Sequence, residues 1–161
     1  MSAKIPHAHL DAEPVSEINE TIGLLLHQVR LRLIRHLECD LAAGGFGINF
    51  SQYRVLRTLS LRELVSPTEI SRCCGHDAGA LTRMLDRLQE KGYLRRVPRT
   101  DDRRAVDVTL TEAGRAVWRE IQACGLALSS DALSDLSATE QQQLFEMLKK
   151  VRGTLDQRPY K

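Results

Sequence analysis

A mostly α-helical domain carrying one small β-hairpin is the fold class that this sequence predicts, and three observations predict it. Apolar residues recur at helical spacing over long segments, paired helix start and stop signals punctuate the chain, and β-like runs occur only twice, on either side of a charged tip. The 161 residues are 42% hydrophobic and 27% charged, which suits one globular unit of ordinary domain size. Aromatics are only 4%, and Leu, Arg, Ala and Glu are the commonest residues, a palette that favours helices.

Residues 1–15 contain Pro6 and Pro14 with little periodicity, and they read as a flexible arm. From Ser16, residues Ile18, Ile22, Leu25, Val29 and Leu33 form the stripe of a long amphipathic helix that runs to about Ala42, where Gly44, Gly45 and Gly47 stop it. A second helix of about ten residues is expected behind Ser51 as N-cap, with Tyr53, Val55, Leu56 and Leu59 on its apolar side. Ser66-Pro67-Thr68-Glu69 starts a third, combining a capping box with proline at the first helical position, and Gly75 ends it after about two turns. Asp77 caps a fourth, which closes at Lys91-Gly92. Residues 93–97 and 105–110 then form a hairpin around the tip at residues 98–104. A fifth helix starts near Thr111, carries Val117, Trp118 and Ile121, and is expected to end about Ala127. The last opens with the capping box Ser137-Ala138-Thr139-Glu140 and continues with Leu144, Leu148, Val151 and Leu155, a seam that needs another helix to cover it, from this chain or from a second copy.

No stretch approaches the roughly 18 apolar residues of a membrane span, and the N-terminus lacks a secretory signal, so a cytoplasmic protein without a membrane partner is expected. The formal net charge of +2 says little alone; its distribution says more. Residues 83–104 hold eight basic side chains against four acidic ones, while the remainder is net acidic.

The fourth helix explains that focus. At 100° per residue, Leu81, Met84, Leu85 and Leu88 share one side, while Gly79, Thr82, Arg83, Asp86 and Arg87 share the other. One face packs and the other is free to read. A short helix, a tight turn and a second helix with small, hydroxyl and arginine residues near its start are what a major-groove reading helix requires. Gly79 permits close approach, Thr82 donates or accepts, and Arg83 can pair with a guanine edge. An ordinary solvated face would carry the same residue types. What separates the two readings is the basic hairpin next door, suited to the adjacent minor groove.

Five segments carry a family resemblance: Ser66-Pro67-Thr68-Glu69-Ile70, residues 81–88, Lys91-Gly92-Tyr93-Leu94, Asp102-Arg103-Arg104-Ala105-Val106 and Leu110-Thr111-Glu112-Ala113-Gly114. They resemble the MarR family of winged helix-turn-helix regulators, over roughly residues 16–157. The resemblance implies a homodimer that binds a pseudo-palindromic double-stranded DNA operator, usually as a repressor. Residues 16–47 and 111–161 would be the helical dimerisation region and residues 48–110 the winged helix-turn-helix. By the same resemblance Arg104 enters the minor groove, Asp102 orients arginine side chains, and Arg103, Arg87 and Lys91 contact phosphate.

The resemblance also brings two kinds of signal: a small aromatic or phenolic acid effector, or thiol oxidation. His36 projects from the apolar stripe of the first helix, where it either meets an effector carboxylate or pairs locally with Asp40; Arg30 and His27 are the weaker effector residues on the more polar side. Cys39, Cys73, Cys74 and Cys124 show no C-x-x-C spacing and are expected reduced, with Cys74 packed as a small hydrophobe. No His/Cys spacing supports zinc and no cofactor motif is present. A small thiol-dependent enzyme, the competing class, lacks a phosphate loop, a nucleophile elbow or a cysteine beside a base. A winged module used for protein contacts or indiscriminate DNA binding is the third reading.

Overall fold

The computed structural model describes residues 22–99, 102 and 105–158, and the chain divides into two compact units, Met1–Arg32 and Leu33–Lys161. Among the described residues, six helices and a hairpin follow in the order α1 (Ile22–Ala43), α2 (Phe50–Ser60), α3 (Pro67–Cys74), α4 (Ala78–Glu90), β1 (Leu94–Pro98), β2 (Val106–Leu110), α5 (Glu112–Ala132) and α6 (Ala138–Asp156). The expected arm at residues 1–15 lies outside the described residues, as does Ile18.

In the first unit, the described residues are the opening turns of α1. Ile22, Leu24, Leu25, Leu26, Val29 and Leu31 are all exposed there.

The second unit is organised around one core. Leu37 and Leu41 of α1 meet Val55, Leu56 and Leu59 of α2, Ile70 and Cys74 of α3, and Leu81, Leu85 and Leu88 of α4; Leu94, Val108 and Leu110 of the hairpin and Trp118 and Ile121 of α5 complete it. The apolar side expected for α4 is therefore the buried side. β1 and β2 pair antiparallel, Leu94 opposite Leu110 and Pro98 opposite Val106. Val65 adds a single rung, exchanging both backbone hydrogen bonds with Val108 and tying the start of α3 to the hairpin. One residue is too short a run to show as a strand in a sequence.

Local signals fixed most boundaries. Ser66 Oγ accepts from the Glu69 N–H, Asp77 Oδ1 from the Ala80 N–H and Thr111 Oγ1 from the Gly114 N–H, each satisfying an orphan donor of a first turn. Three expectations need correction. The cap of α2 is Asn49, not Ser51: Asn49 and Gln52 bond each other's backbone N–H, a full capping box two residues earlier. At α3 the reciprocal half of the expected box is replaced, because the Glu69 carboxylate turns to the Arg62 guanidinium. Finally, α5 runs on to Ala132 instead of ending near Ala127. The glycine inside it, Gly125, lets α2 approach closely: a Cβ there would stand 2.8 Å from the Tyr53 hydroxyl.

Candidate nucleic-acid interface

The reading surface begins with the turn that launches α4. Gly75 adopts φ 62°, a left-handed conformation that glycine takes at little cost, and its N–H bonds the Ser71 carbonyl. The His76 carbonyl accepts from the Ser71 hydroxyl at 2.5 Å, so α3 holds the turn from its last residues. Asp77 then caps α4. Hydrogen bonds from the backbone N–H groups of Ala80 and, to a lesser extent, Gly79, with the positive charge of Arg83, hold its carboxyl below the ordinary value. At the far end, Gly92 (φ 73°) and the Tyr93 N–H bonded to the Leu88 carbonyl close α4 as a Schellman motif. The helix is therefore fixed at both termini while one face stays open.

Gly79, Thr82, Arg83 and Arg87 are all exposed on that face, as expected. Gly79 is flat there without steric need, since a Cβ would find Asp77 Oδ1 at 3.4 Å and Arg83 Nη1 at 3.7 Å, ordinary contacts. The Thr82 hydroxyl donates to the Ala78 carbonyl at 2.8 Å, which leaves its lone pairs to accept from a ligand. Arg87 lies lower on the helix, beside Asn49 and Gln52 at the start of α2. The exposed Lys91 ammonium donates to the Gly47 carbonyl at 2.9 Å; it anchors the end of α4 to the loop before α2 and keeps two N–H donors.

The hairpin stands directly beyond α4. Its tip is drawn together by Arg99 N–H to the Ala105 carbonyl and Ala105 N–H to the Asp102 carbonyl, both 3.0 Å. Asp102 is exposed; Arg103 and Arg104 lie outside the described residues. Sequence reasoning missed Arg96, which bonds Asp86 and Gln89 of α4. An acidic residue and a basic one on either side of a helix-to-strand corner were the available signal.

The expected effector and dimerisation residues are mostly exposed. His36, and in the first unit His27 and Arg30, are exposed, and no hydrogen bond or ion pair joins His36 to Asp40, so the expected local pair is not formed. A cavity of about 920 Å³ opens elsewhere in the second unit, between the segment after α2, the hairpin and α5, with Arg95, Arg115, Arg119 and Trp118 among its lining. Leu144 is half-buried, whereas Leu148, Val151 and Leu155 are 38, 39 and 56% exposed, and α6 has no buried residue. Cys74 is buried against Thr58, as expected of a small hydrophobe; Cys39 and Cys73 are exposed and Cys124 is half-buried, all unpaired. Among the described residues no helix is long and apolar enough to cross a membrane.

Comparison with known proteins fits this geometry. The MarR family model matches residues 46–105, from the loop before α2 to the hairpin tip. The multiple antibiotic resistance protein MarR of Escherichia coli K12 is 36% identical over 131 residues, covering 81% of this chain and 90% of that protein. The transcriptional repressor MprA of the same organism is 33% identical, covering 78% and 76%. Among solved structures, a mutant E. coli MarR complexed with operator DNA superposes with a TM-score of 0.72 at 35% identity, covering 87% of this chain and 99% of that one. A MarR family protein of Mycobacterium tuberculosis in complex with salicylic acid gives 0.69 at 26% identity, covering 83% and 97%. With a helix-turn-helix followed by a hairpin wing, and relatives of this identity matched over most of their length, the chain belongs to the MarR family.

Proposed function

We propose that the protein is a homodimeric, sequence-specific DNA-binding transcriptional regulator, a cytoplasmic repressor rather than an enzyme, released from a pseudo-palindromic operator by a small aromatic or phenolic acid. The observation that carries the reading is the exposed Gly79, Thr82 and Arg83 face on a helix capped at both ends and set beside a basic hairpin. Arg83 supplies a bidentate donor for a guanine, Thr82 an acceptor, and Gly79 the room for a base edge. Arg104 belongs in the minor groove with Asp102 steering it; Arg103, Arg87 and Lys91 belong on phosphates, where they fix register without reading sequence. The operator complex of a similar protein supports the DNA-binding reading.

Dimerisation follows from surface chemistry. Leu148, Val151 and Leu155, with Phe145 and Met147, leave one helix apolar and exposed, and the start of α1 presents a second such surface. A second copy that covers them would remove that apolar area from water and present two reading helices to one duplex. For the effector, the salicylic acid complex of a relative supports a carboxylate ligand. The cavity near Arg95, Arg119 and Trp118 offers such an acid cations and an apolar wall together, whereas His36, Arg30 and His27 are each exposed.

Fluorescence anisotropy with duplexes from the DNA flanking the protein's own gene tests the reading. A regulator binds one of them at least a thousandfold more tightly than a scrambled duplex at matched salt, the low end for specific recognition, and salicylate lowers that affinity. Equal affinity for all duplexes contradicts it.

A further inference from the structure

Arg96 stands at the corner where the wing leaves the reading helix, in the middle of β1 opposite Val108. Its guanidinium donates from Nη2 to Asp86 Oδ1 at 2.7 Å and from Nη1 to Gln89 Oε1 at 2.8 Å. The two acceptors are three residues apart on α4 and therefore neighbours on its surface. A planar fork that grips two acceptors on an adjoining element fixes both separation and tilt, which a single ammonium cannot do. The Arg96 side chain is 29% exposed and that of Asp86 48%, so the arginine is partly shielded while its acceptors reach the surface. Asp86 also lies one turn beyond Thr82 on the reading side, and Arg96 neutralises the carboxylate that would otherwise face a phosphate-rich duplex.

We infer that Arg96, held by Asp86 and Gln89, is a positioning residue for DNA recognition: it sets the angle between reading helix and wing so that major-groove and minor-groove contacts of one lobe fall in register. The inference rests on the DNA-binding reading above. A direct phosphate contact by Arg96 makes the opposite prediction, because releasing the guanidinium from Asp86 would then strengthen binding.

The discriminating variant is Asp86→Asn, which loosens the brace while leaving Arg96 and its charge in place. Its preference for the best flanking duplex over a scrambled one should fall roughly tenfold, within the range for mutations that act without touching the ligand. Binding to the scrambled duplex should stay level or tighten, since a negative charge has gone. Arg96→Lys, which keeps the charge but reaches one acceptor, should fall between Asp86→Asn and the parent protein. Thermal unfolding of each variant shows that the fold is retained. An unchanged or increased preference in Asp86→Asn, or a parallel loss on both duplexes, overturns the inference. If the parent protein itself prefers no duplex, the regulator reading fails, a result seen before any variant is made.

Discussion

Replacing Gly79 with alanine should make the protein more stable and worse at binding DNA, a pair of opposite signs that few accounts of a surface glycine would give. The added Cβ meets nothing closer than Asp77 Oδ1 at 3.4 Å, and the residue has no positive φ, so the free protein accepts it without strain. Alanine is favoured over glycine by about 1 kcal/mol inside a helix, and by somewhat less this close to the N-terminus. A gain of about 0.5–1 kcal/mol corresponds to roughly 1–4 °C in unfolding temperature for a chain of this length. At the proposed interface the same methyl would stand in the way of a base edge, and a displaced bidentate contact costs about 1–3 kcal/mol, or roughly 5- to 150-fold in affinity. Gly114 is the internal control: a Cβ there would fall 1.8 Å from the Tyr93 carbonyl oxygen, so Gly114→Ala should lower the unfolding temperature. Differential scanning fluorimetry and anisotropy on the same preparations read both effects. A lower unfolding temperature for Gly79→Ala, or operator affinity equal to the parent's, would rule out Gly79 as an unstrained position facing a base edge.

Arg104→Ala should weaken operator binding by about 1–3 kcal/mol and scrambled-duplex binding by less, as anisotropy at matched salt will show. Leu148→Asp places a carboxylate in the apolar seam of α6, and sedimentation should then show monomer at concentrations where the parent is dimeric, with operator affinity falling in step. The depressed carboxyl of Asp77 stabilises the fold fully above the ordinary carboxylate value of 3.8, and the contribution is lost as pH falls through its lower folded value. Acid unfolding of Asp77→Asn should therefore show a shallower fall in stability over that window than the parent, and equal slopes would contradict the cap's role.

Local grammar made much of this fold legible. Capping residues, Gly75, Gly92 and the packed side of α4 are dictated by neighbours in sequence, so pattern alone finds them. Asn49 and Ser51 are equally good caps by residue type, and only the partnership with Gln52 sets the start of α2 behind Asn49. Long-range features stayed hidden for a different reason. The Val65 rung, the turn of Glu69 toward Arg62, the Arg96 brace and the Lys91 anchor on Gly47 depend on which elements meet in space, and no periodicity encodes that. The exposure of Gly79, Thr82, Arg83 and Arg87 was legible because amphipathicity separates the packed side of α4 from the open one. His36 was harder to judge, since a stripe position on a helix shows which way a ring points but not what lies opposite.

Selection from a pool of randomised duplexes shows whether two copies of one arginine-bearing helix and its wing address a single duplex. Two-fold related half-sites with centres about 10 base pairs, or a multiple, apart should emerge, each duplex binding two chains. Recovery of no common sequence, or of an asymmetric site occupied by one chain, would contradict that arrangement.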